Sequence, residues 1–410
     1  MNGYKSNNLP LDVSWSDIDY MQDYKDFEFD SKLEFKDLPQ FVDSVHQNHM
    51  HYIPIIDAGI AARPNEGYKA FDAGMKYDTF IKASKDLNEP FIGAVWPDEA
   101  VYTDFFNQNG DKFWGEQLDY FHNNLQFDGL WLDMNEASNF CTGTCRQSQR
   151  SKKPIKNMLP YIPGGRDLEA KSMALDAAHA NGYTQLDTHS LWGTQEVRAT
   201  HLWFQSKNKR TAIIERSAFA GLGKFGSRWL GDNFSQEKYM GYSVTGVMMH
   251  NIIGIPFAGS DICGFIGNTS PELCTRWHNV GAFYPFSRNH YDQASSAQEP
   301  YVFKGMEVQG VDVLRSMRRS INLKYNMIKY YYTQLQMVSN EGGAFYRPMF
   351  FDFPTDDNAY LDQEYNVMLG EALKLSVNSN NLQMATTAFY FPQGTWCSVV
   401  NTTRETASCI

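Results

Sequence analysis

The sequence predicts an α/β protein with a parallel sheet, and two observations support that prediction. Short apolar runs typical of buried strands recur along the 410-residue chain and alternate with segments typical of helices. One run, Leu130 to Leu132, leads directly into the carboxylates Asp133 and Glu136. In a (β/α)₈ barrel, catalytic groups project from the carboxyl ends of the strands. A chain of 410 residues can hold one such barrel with insertions.

The predicted strands are apolar runs bounded by glycine, proline or polar residues. They are residues 9–15, 52–57, 91–96, 129–133, 211–217, 229–232, 255–261 and 344–353. Helix-like segments lie between several of them, among them residues 111–123 and 311–339. Residues 138–163 are polar, contain glycine and proline, and carry a small basic cluster. This stretch predicts a long loop insertion, extending to about residue 190, within one domain.

Composition excludes several classes of partner. The net charge is −11, and no stripe of Lys and Arg alternates with aromatic residues, so a nucleic-acid or anionic-membrane partner is not expected. No run of 18 apolar residues occurs, so the sequence predicts no membrane span. Aromatic residues make up 15% of the chain, which suits the stacking of sugar rings and equally suits a large aromatic core.

Six cysteines fall into three couples that are close in sequence: Cys141 with Cys145, Cys263 with Cys274, and Cys397 with Cys409. An even count in local couples favours oxidised pairs. Zinc is the alternative, but one Cys-x₃-Cys without a second matching couple or a nearby His is a poor zinc pattern. Acceptor triplets for N-glycosylation begin at Asn233, Asn268 and Asn401. Together these features favour a protein of the secretory pathway.

Two long motifs resemble the signatures of glycoside hydrolase family 31, the retaining α-glucosidases. Gly-Leu-Trp-Leu-Asp-Met-Asn-Glu at 129–136 resembles the nucleophile signature of that family. The second motif comprises 259–265, 273–277 and 281–290. Ser260 stands where the family usually has Ala, and Ala137 where it often has Pro; neither change touches a reacting group. The resemblance covers almost the whole chain and is strongest toward the lysosomal and intestinal type.

The resemblance implies a (β/α)₈ TIM barrel over residues 1–355, with the start of a C-terminal β-sandwich over 356–410. Residues 392–395 would form a turn between two short strands of that sandwich. Residues 10–20 resemble the second barrel strand of the family, so we expect a chain shortened at both ends that lacks the first strand. A barrel without one strand would expose two sheet edges.

The resemblance also implies the two carboxyl groups that glycoside hydrolysis needs. Asp133 is the predicted nucleophile, ionised beside an Arg, and the alternative for it is a helix cap or a local ion pair. Asp232 is the predicted acid/base, and we expect partial burial beside Trp229 to raise its pKa. If a helix begins at Asp133, Glu136 lies on the same face. Glu136 is then a supporting residue, with a direct catalytic role as the alternative.

The same resemblance implies the groups that bind the sugar. Asp17 would accept hydrogen bonds from sugar hydroxyls, Arg216 would bridge carboxylates and sugar oxygens, and His290 would donate to the ring hydroxyls. Asp261 and Arg288 would hold Arg216 and His290 in place. The apolar walls of the pocket would be Ile55, Trp96, Trp131, Met134, Trp229 and Phe265. Cys263 and Cys274 match a disulfide of the family.

The expected activity is removal of terminal, non-reducing α-1,4-linked glucose from oligosaccharides of the maltose, starch or glycogen type. No metal and no organic cofactor are expected, because the carboxyl pair supplies the proton transfers. A Ser-His-Asp hydrolase is set aside because no Gly-x-Ser-x-Gly motif occurs. The alternative of a different class is a non-catalytic or vestigial carbohydrate-binding barrel fragment.

Overall fold

A computed structural model describes residues 1–162, 167–378, 388–399 and 409–410. The chain divides into two compact units. The N-terminal unit is Asp12–Ser227, and the C-terminal unit joins Met1–Leu11 to Arg228–Ile410. Within the described ranges, every helix is too short or too polar to span a lipid bilayer.

The helices are α1 (Asn2–Ser6), α2 (Leu38–Gln47), α3 (Lys69–Tyr77), α4 (Gln108–Asn124), α5 (Gln185–Ser206), α6 (Glu237–Ile252), α7 (Pro271–Gly281) and α8 (Val313–Glu341). The strands are β1 (Val13–Ser16), β2 (His51–Asp57), β3 (Gly59–Ala61), β4 (Lys82–Ser84), β5 (Leu87–Pro90), β6 (Gly93–Val95), β7 (Asp98–Tyr102), β8 (Leu130–Asp133), β9 (Ile213–Glu215), β10 (Ser227–Leu230), β11 (Ala258–Ile262), β12 (Arg288–Asn289), β13 (Glu307–Val308), β14 (Val311–Asp312), β15 (Tyr346–Pro348), β16 (Asn366–Leu369) and β17 (Leu373–Ser376). Short 3₁₀ turns connect several of these elements.

The N-terminal unit is built on four parallel strands in the order β1, β2, β8, β9. Six of the seven residues of β2 and all four of β8 are buried, which explains why both strands are continuous apolar runs in the sequence. Their register pairs Ile55 with Trp131 and Asp57 with Asp133. The carboxyl ends of β2 and β8 therefore place two acidic residues side by side.

The predicted strand at 91–96 belongs to a second, antiparallel sheet of the N-terminal unit. Only Gly93–Val95 forms a strand there, and β6 pairs with β7, which in turn pairs with β3. A hairpin of β4 and β5 lies beside this segment in the chain. The run therefore belongs to a separate antiparallel sheet and is not one of the parallel strands.

Helices α4 and α5 pack against each other in the N-terminal unit. The Trp114 side chain is fully buried, meets the rings of Phe27 and Phe105 edge-on, and donates from Nε1 to Thr200 Oγ1 at 2.8 Å. Helix α5 begins with a capping box formed by Thr184 and its neighbour three residues along the helix. Helix α5 therefore begins inside the region that the sequence predicts as a loop insertion up to about residue 190. The capping box, which follows a polar stretch, sets where the helix starts.

The C-terminal unit contains three parallel strands in the order β10, β11, β12. Helices α6, α7 and α8 share one hydrophobic core with the antiparallel strands β15 to β17. Trp277, Tyr284 and Tyr346 are fully buried members of that core. The described part of the chain thus confirms a parallel α/β architecture followed by a small antiparallel sheet.

Two predictions for the C-terminal region need correction. The predicted strand at 344–353 ends at Pro348, and a 3₁₀ turn over Met349–Phe351 follows, because proline offers no N–H to continue a ladder. The predicted short strands around 392–395 are absent from the described residues 388–399, where Cys397 alone forms a bridge, to Cys409. The rest of the segment predicted to hold them, at 386, 387 and 400, lies outside the described residues.

We predict that Trp114→Ala lowers the free energy of unfolding by about 3 to 5 kcal/mol, because it removes a fully buried ring and leaves a cavity between α4 and α5. Asn123→Ala, at an exposed position of the same helix, should change it by less than about 0.5 kcal/mol. Urea unfolding followed by circular dichroism measures both values. Equal effects of the two changes would contradict the packing described for α4.

Candidate active site

Asp133 lies at the carboxyl end of β8 and is 8% exposed. Gly129 precedes β8 and packs tightly against the segment just before β9. A Cβ atom at this position would stand 2.6 Å from the carbonyl oxygen of Ala212. This close approach requires glycine and fixes the position of the strand. The tight packing therefore delivers the Asp133 carboxyl group to a place that little water reaches.

Arg216 contacts two of the predicted site carboxylates. Its Nε atom lies 3.1 Å from Asp133 Oδ1 and donates to Glu136 Oε1 at 2.7 Å, while its Nη2 donates to Glu136 Oε2 at 2.9 Å. Arg216 directly follows β9, and its backbone N–H donates to the carbonyl of Leu132 at 3.2 Å. A guanidinium fixed at this distance favours the ionised form of a carboxyl group.

Glu136 lies near Asp133, but the two residues are not on one helix as expected. Residues 134–137 form a turn, and Met134 has a left-handed backbone with φ 57°. A left-handed residue does not continue a right-handed helix, so the helical explanation is wrong. The Arg216 guanidinium joins the two carboxylates instead. The Glu136 side chain is 38% exposed and that of Asp133 is 11% exposed, so Glu136 is the more accessible of the two.

Asn135 holds the ends of β8 and β9 together, a role that the sequence reading missed. Its Nδ2 donates to Glu215 Oε2 at 2.9 Å, and its Oδ1 accepts from the backbone N–H of Ser217 at 2.8 Å. These two partners flank Arg216 in the chain. A Cβ atom at Gly193 would stand 2.5 Å from the Asn135 carbonyl oxygen, so α5 can pack here only with glycine. The sequence feature that could have indicated this role is the position of Asn135 inside the motif at 129–136, which resembles the nucleophile signature.

A second buried carboxyl group lies behind this contact. Burial raises the pKa of Glu196 well above its usual range, the side-chain hydrogen bond from Asn135 works against the rise, and the charges of Glu215 and Asp133 add to it. Glu196 and Glu215 are both fully buried. Glu196, on α5, therefore adds a second buried carboxyl group close to Asn135 and Glu215.

Three of the predicted wall residues lie in the buried part of the N-terminal unit. Ile55, Trp131 and Met134 are between 1% and 4% exposed. The Trp131 ring meets the Trp15 ring edge-on, with centroids 6.5 Å apart. The Met134 sulfur lies 3.0 Å from Nη2 of Arg216. Met134 thus brings apolar surface against Arg216, and Ile55 and Trp131 are paired in the neighbouring strands β2 and β8.

Trp96 is exposed and forms a pair with Phe140, a residue that the sequence reading missed. Each is 44% exposed, and their rings meet edge-on with centroids 5.2 Å apart. Asn139 fixes the backbone beside Phe140, since its Oδ1 accepts from the N–H of Ala94 at 2.9 Å and its Nδ2 donates to the carbonyl of Ser172 at 3.3 Å. A rigid backbone thus presents an aromatic surface to solvent.

Asp17 directly follows β1 and is partly buried. Its Oδ1 accepts a hydrogen bond from the N–H of Ile18 at 2.7 Å, which caps a short 3₁₀ turn. The position of Asp17 at a parallel-strand end agrees with the predicted site edge.

In the C-terminal unit, Asp261 is the centre of a buried polar group. Its Oδ1 accepts from Nε1 of Trp229 at 2.9 Å and from Nη2 of Arg288 at 3.0 Å. All three residues are at most 4% exposed, and the Arg288 guanidinium lies 5.0 Å from the centre of the Trp229 ring. Asp261 and Arg288 therefore form a buried ion pair. Their support of Arg216 and His290 stays a prediction.

Phe265 and His290 stack on each other in the same unit. Their ring centroids are 4.9 Å apart, with an angle of 28° between the planes. The carbonyl of His290 accepts from Nε2 of Gln298 at 3.2 Å. The imidazole is thus held by its backbone on one side and by an aromatic face on the other.

Asp232 differs from its predicted environment. It lies after β10 in a left-handed conformation with φ 53° and is exposed, so the expectation of partial burial is wrong. The neighbouring Gly231 explains the position, since a Cβ atom there would stand 1.8 Å from the Trp229 ring. The chain passes so close over this ring that the next side chain turns outward.

The cysteines form three disulfides, Cys141–Cys145, Cys263–Cys274 and Cys397–Cys409, which confirms the oxidised pairs. The imidazole of His278 lies near the second pair, with Nδ1 3.5 Å from Cys263 Sγ. These three side chains are close enough to surround a metal ion, but sulfurs bonded to each other are not the thiolates that zinc needs.

Fold and site together define a parallel α/β protein with carboxylates at its strand ends. Residues 1–334 match the model for the glycosyl hydrolases family 31 TIM-barrel domain, and residues 342–408 match that for the family 31 C-terminal domain. These matches cover most of the chain, so the chain belongs to glycosyl hydrolase family 31. The family match also confirms the predicted TIM-barrel fold class.

Known relatives carry several names. Lysosomal alpha-glucosidase from Bos taurus is 37% identical over 95% of this chain and 40% of the bovine protein. Sucrase-isomaltase, intestinal, from Homo sapiens is 36% identical over 95% of this chain and 21% of the human protein. Alpha-xylosidase 1 from Arabidopsis thaliana is 34% identical over 100% of this chain and 46% of the plant protein. The chain thus spans 40% of the length of the bovine relative.

Solved structures show the same similarity. The ER glucosidase II heterodimeric complex aligns with a TM-score of 0.82 and 26% identity, over 96% of this chain and 39% of the matched chain. A dextranase from Flavobacterium johnsoniae aligns with a TM-score of 0.79 and 20% identity, over 97% of this chain and 45% of the matched chain. The dextranase likeness shows a shared fold.

We predict that Asn268 carries a glycan if the chain enters the secretory pathway, and that Asn233 does not. Asn268 is exposed, whereas Asn233 is 8% exposed and its Nδ2 donates to Ser260 Oγ at 2.8 Å and to the carbonyl of Asp261 at 3.1 Å. The third predicted acceptor, Asn401, lies outside the described residues.

Peptide mapping of secreted material tests this pattern. The mass added to the Asn268 peptide should disappear in Asn268→Gln, while the Asn233 peptide keeps its unmodified mass in both proteins. A glycan of high occupancy on Asn233 would contradict the placement of the neighbouring Asp232 in the site, because it would block access there.

Proposed function

We propose that the protein is a retaining α-glucosidase that removes terminal, non-reducing α-1,4-linked glucose from oligosaccharides by double displacement. The observation that supports this most is the Arg216 guanidinium, which contacts Asp133 at 3.1 Å in a position of low exposure. A carboxylate kept ionised at a parallel-strand end is what a nucleophile at an anomeric carbon requires. The family match and the names of the relatives supply the substrate class.

In the first step, Asp133 attacks the anomeric carbon of the terminal glucose while Asp232 donates a proton to the leaving oxygen. Attack from the face opposite the leaving group gives a β-linked glucosyl intermediate on Asp133. Arg216 also contacts Glu136, so the guanidinium keeps a partner when the charge on Asp133 is consumed. Glu136 thereby keeps Arg216 in place throughout the cycle.

In the second step, Asp232 takes a proton from water, and that water releases α-glucose from Asp133. Asp232 is exposed in the free protein. We propose that the substrate covers this carboxyl group, because removal of water disfavours the charged form and allows it to hold a proton until the bond breaks. Proton donation would then depend on occupation of the site.

The remaining predicted residues bind and orient the sugar. Asp17 accepts from hydroxyls, His290 donates to them, and the buried Asp261 and Arg288 pair supports the donors. Trp96 and Phe140 offer exposed aromatic surface on which the C–H face of a sugar can stack. Their position at the surface suits the reducing-end part of an oligosaccharide of the maltose, starch or glycogen type.

A second candidate is a non-catalytic carbohydrate-binding barrel. The observation behind it is that the chain covers 40% of the bovine relative, so its activity is part of the proposal and not of the family assignment. We also propose a secretory-pathway location, lysosomal or extracellular, on the basis of the three disulfides and the names of the relatives.

We predict that Asp133→Ala lowers kcat on any α-glucoside by about 10⁴-fold or more, because the intermediate cannot form. Asp232→Ala should be much less harmful with aryl glucosides that carry a good leaving group than with maltose, since a good leaving group needs no proton. Asp72→Ala, an exposed position on α3, is the control and should keep full activity.

Assays between pH 4 and 7 measure these rates, and NMR identifies the anomer formed first. The proposal requires α-glucose as the initial product. Initial β-glucose would contradict retention, while complete inactivity together with measurable maltose binding would support the non-catalytic candidate.

We predict that kcat/KM for an aryl α-glucoside exceeds that for the matching aryl α-xyloside by about tenfold or more. Xylose lacks the hydroxymethyl group of glucose, so hydrogen-bonding groups that pair with it would be left unsatisfied. The shared leaving group is the internal control, because the chemistry at the anomeric carbon is then the same. A preference for the xyloside would place the chain with the xylosidase type of relative.

A further inference from the structure

Asp57 lies beside Asp133, a second buried aspartate, Asp26, contacts Asp57, and the proposed reaction has no step for either of them. Asp57 ends β2, is 2% exposed, and is the register partner of Asp133. Asp26 is fully buried, and its Oδ1 accepts from the backbone N–H of Asp57 at 2.8 Å. Asp26 therefore lies against the backbone of Asp57, and Asp57 lies beside Asp133 in the sheet.

Each of these side chains has one buried oxygen without a hydrogen-bond partner in the described part of the chain. The atoms are Asp26 Oδ2 and Asp57 Oδ1. Two nearby tyrosine hydroxyl groups donate to other acceptors. Tyr20 donates to the carbonyl of Ile55 at 2.7 Å, and Tyr68 donates to the carbonyl of Asp26 at 3.0 Å. A proton on one carboxyl group would supply the missing donor.

The charges around Asp57 favour that proton. Burial raises the pKa of Asp57 well above its usual range, the charges of Asp26, Asp133 and Asp17 raise it further, and Arg216 opposes the rise. Burial also raises the pKa of Asp26, while hydrogen bonds from two backbone N–H groups lower it. Two carboxylates in such a setting do not both ionise. Because Asp26 accepts the backbone hydrogen bonds, it is the better place for the charge.

We propose that Asp26 and Asp57 share one proton and act as positioning residues, with Asp26 as the anion and Asp57 as the neutral acid that faces Asp133. This rests on the proposed role of Asp133 as nucleophile. An ionised Asp57 would repel the negative charge of Asp133 and compete with it for Arg216. The neutral form leaves Asp133 ionised at acidic pH, where the reaction needs its charge.

Three variants of the full chain test the proposal through the acid limb of the pH profile of kcat/KM. In Asp57→Asn, kcat/KM should fall by about tenfold from lost positioning. Its acid limb should stay in place, because one neutral group replaces another. In Asp26→Asn, Asp57 loses its anionic partner and ionises. The acid limb of the pH profile should then move to higher pH by about one unit. The double variant should return the limb to its original place.

Infrared difference spectra provide a readout that does not depend on activity. The absorption of a protonated carboxyl group should be present in the unaltered protein and weaker in Asp57→Asn. Asp104→Asn is the control, because Asp104 is 2% exposed and bonded to His179 at 2.8 Å, and it belongs to neither the pair nor the site. Its infrared band and acid limb should be unchanged, whatever it does to stability.

Two results would overturn the proposal. One is an Asp57→Asn protein that keeps the full protonated-carboxyl absorption. The other is an acid limb that falls by about half a pH unit or more in Asp57→Asn, since that would show a charge on Asp57. If the protein lacks activity altogether, the proposed function fails, and the infrared comparison still decides whether the pair holds a proton.

Discussion

The structure of the N-terminal unit depends on one interaction, in which several acidic groups lie around a single guanidinium. Arg216 contacts Asp133 and Glu136 directly, and its positive charge opposes the rise in the pKa of the buried Asp57. Charges of like sign in a poorly hydrated place repel strongly, so they persist only where a cation or a proton compensates them. The surrounding structure can be understood as the means by which that one cation is kept in place.

The backbone around Arg216 is fixed from both sides by neutral and buried contacts. Asn135 joins the chain before and after it through Glu215 and Ser217. Gly193 allows α5 to approach the Asn135 carbonyl, so the helix covers this contact from outside. An amide can donate and accept at once without adding charge, which suits a position already surrounded by carboxylates. Rigid support of this kind is what a preorganised site requires.

The apolar side chains that we propose to line the site in the N-terminal unit differ in exposure. Around Asp133 the walls are buried, whereas Trp96 and Phe140 are half open to solvent on a backbone that Asn139 holds. Under the proposed function, the buried side chains would define one small sugar ring closely, and the exposed aromatic pair would tolerate many partners. This division would suit an enzyme that is strict about the terminal sugar and permissive about the rest of the chain.

The sequence by itself determined the strands that read as buried apolar runs, such as β2 and β8, and the acidic residues that end them. It also indicated the cysteine couples, from their closeness in sequence and, for Cys263 and Cys274, from the resemblance to the family. Tertiary structure decided the rest. No local pattern indicates that Asp232 would turn outward over the Trp229 ring, or that Asp26 would lie against the backbone of Asp57. Each of these depends on residues that are distant in the chain or on how closely the backbone approaches a ring, and hydrophobic periodicity carries no information about either.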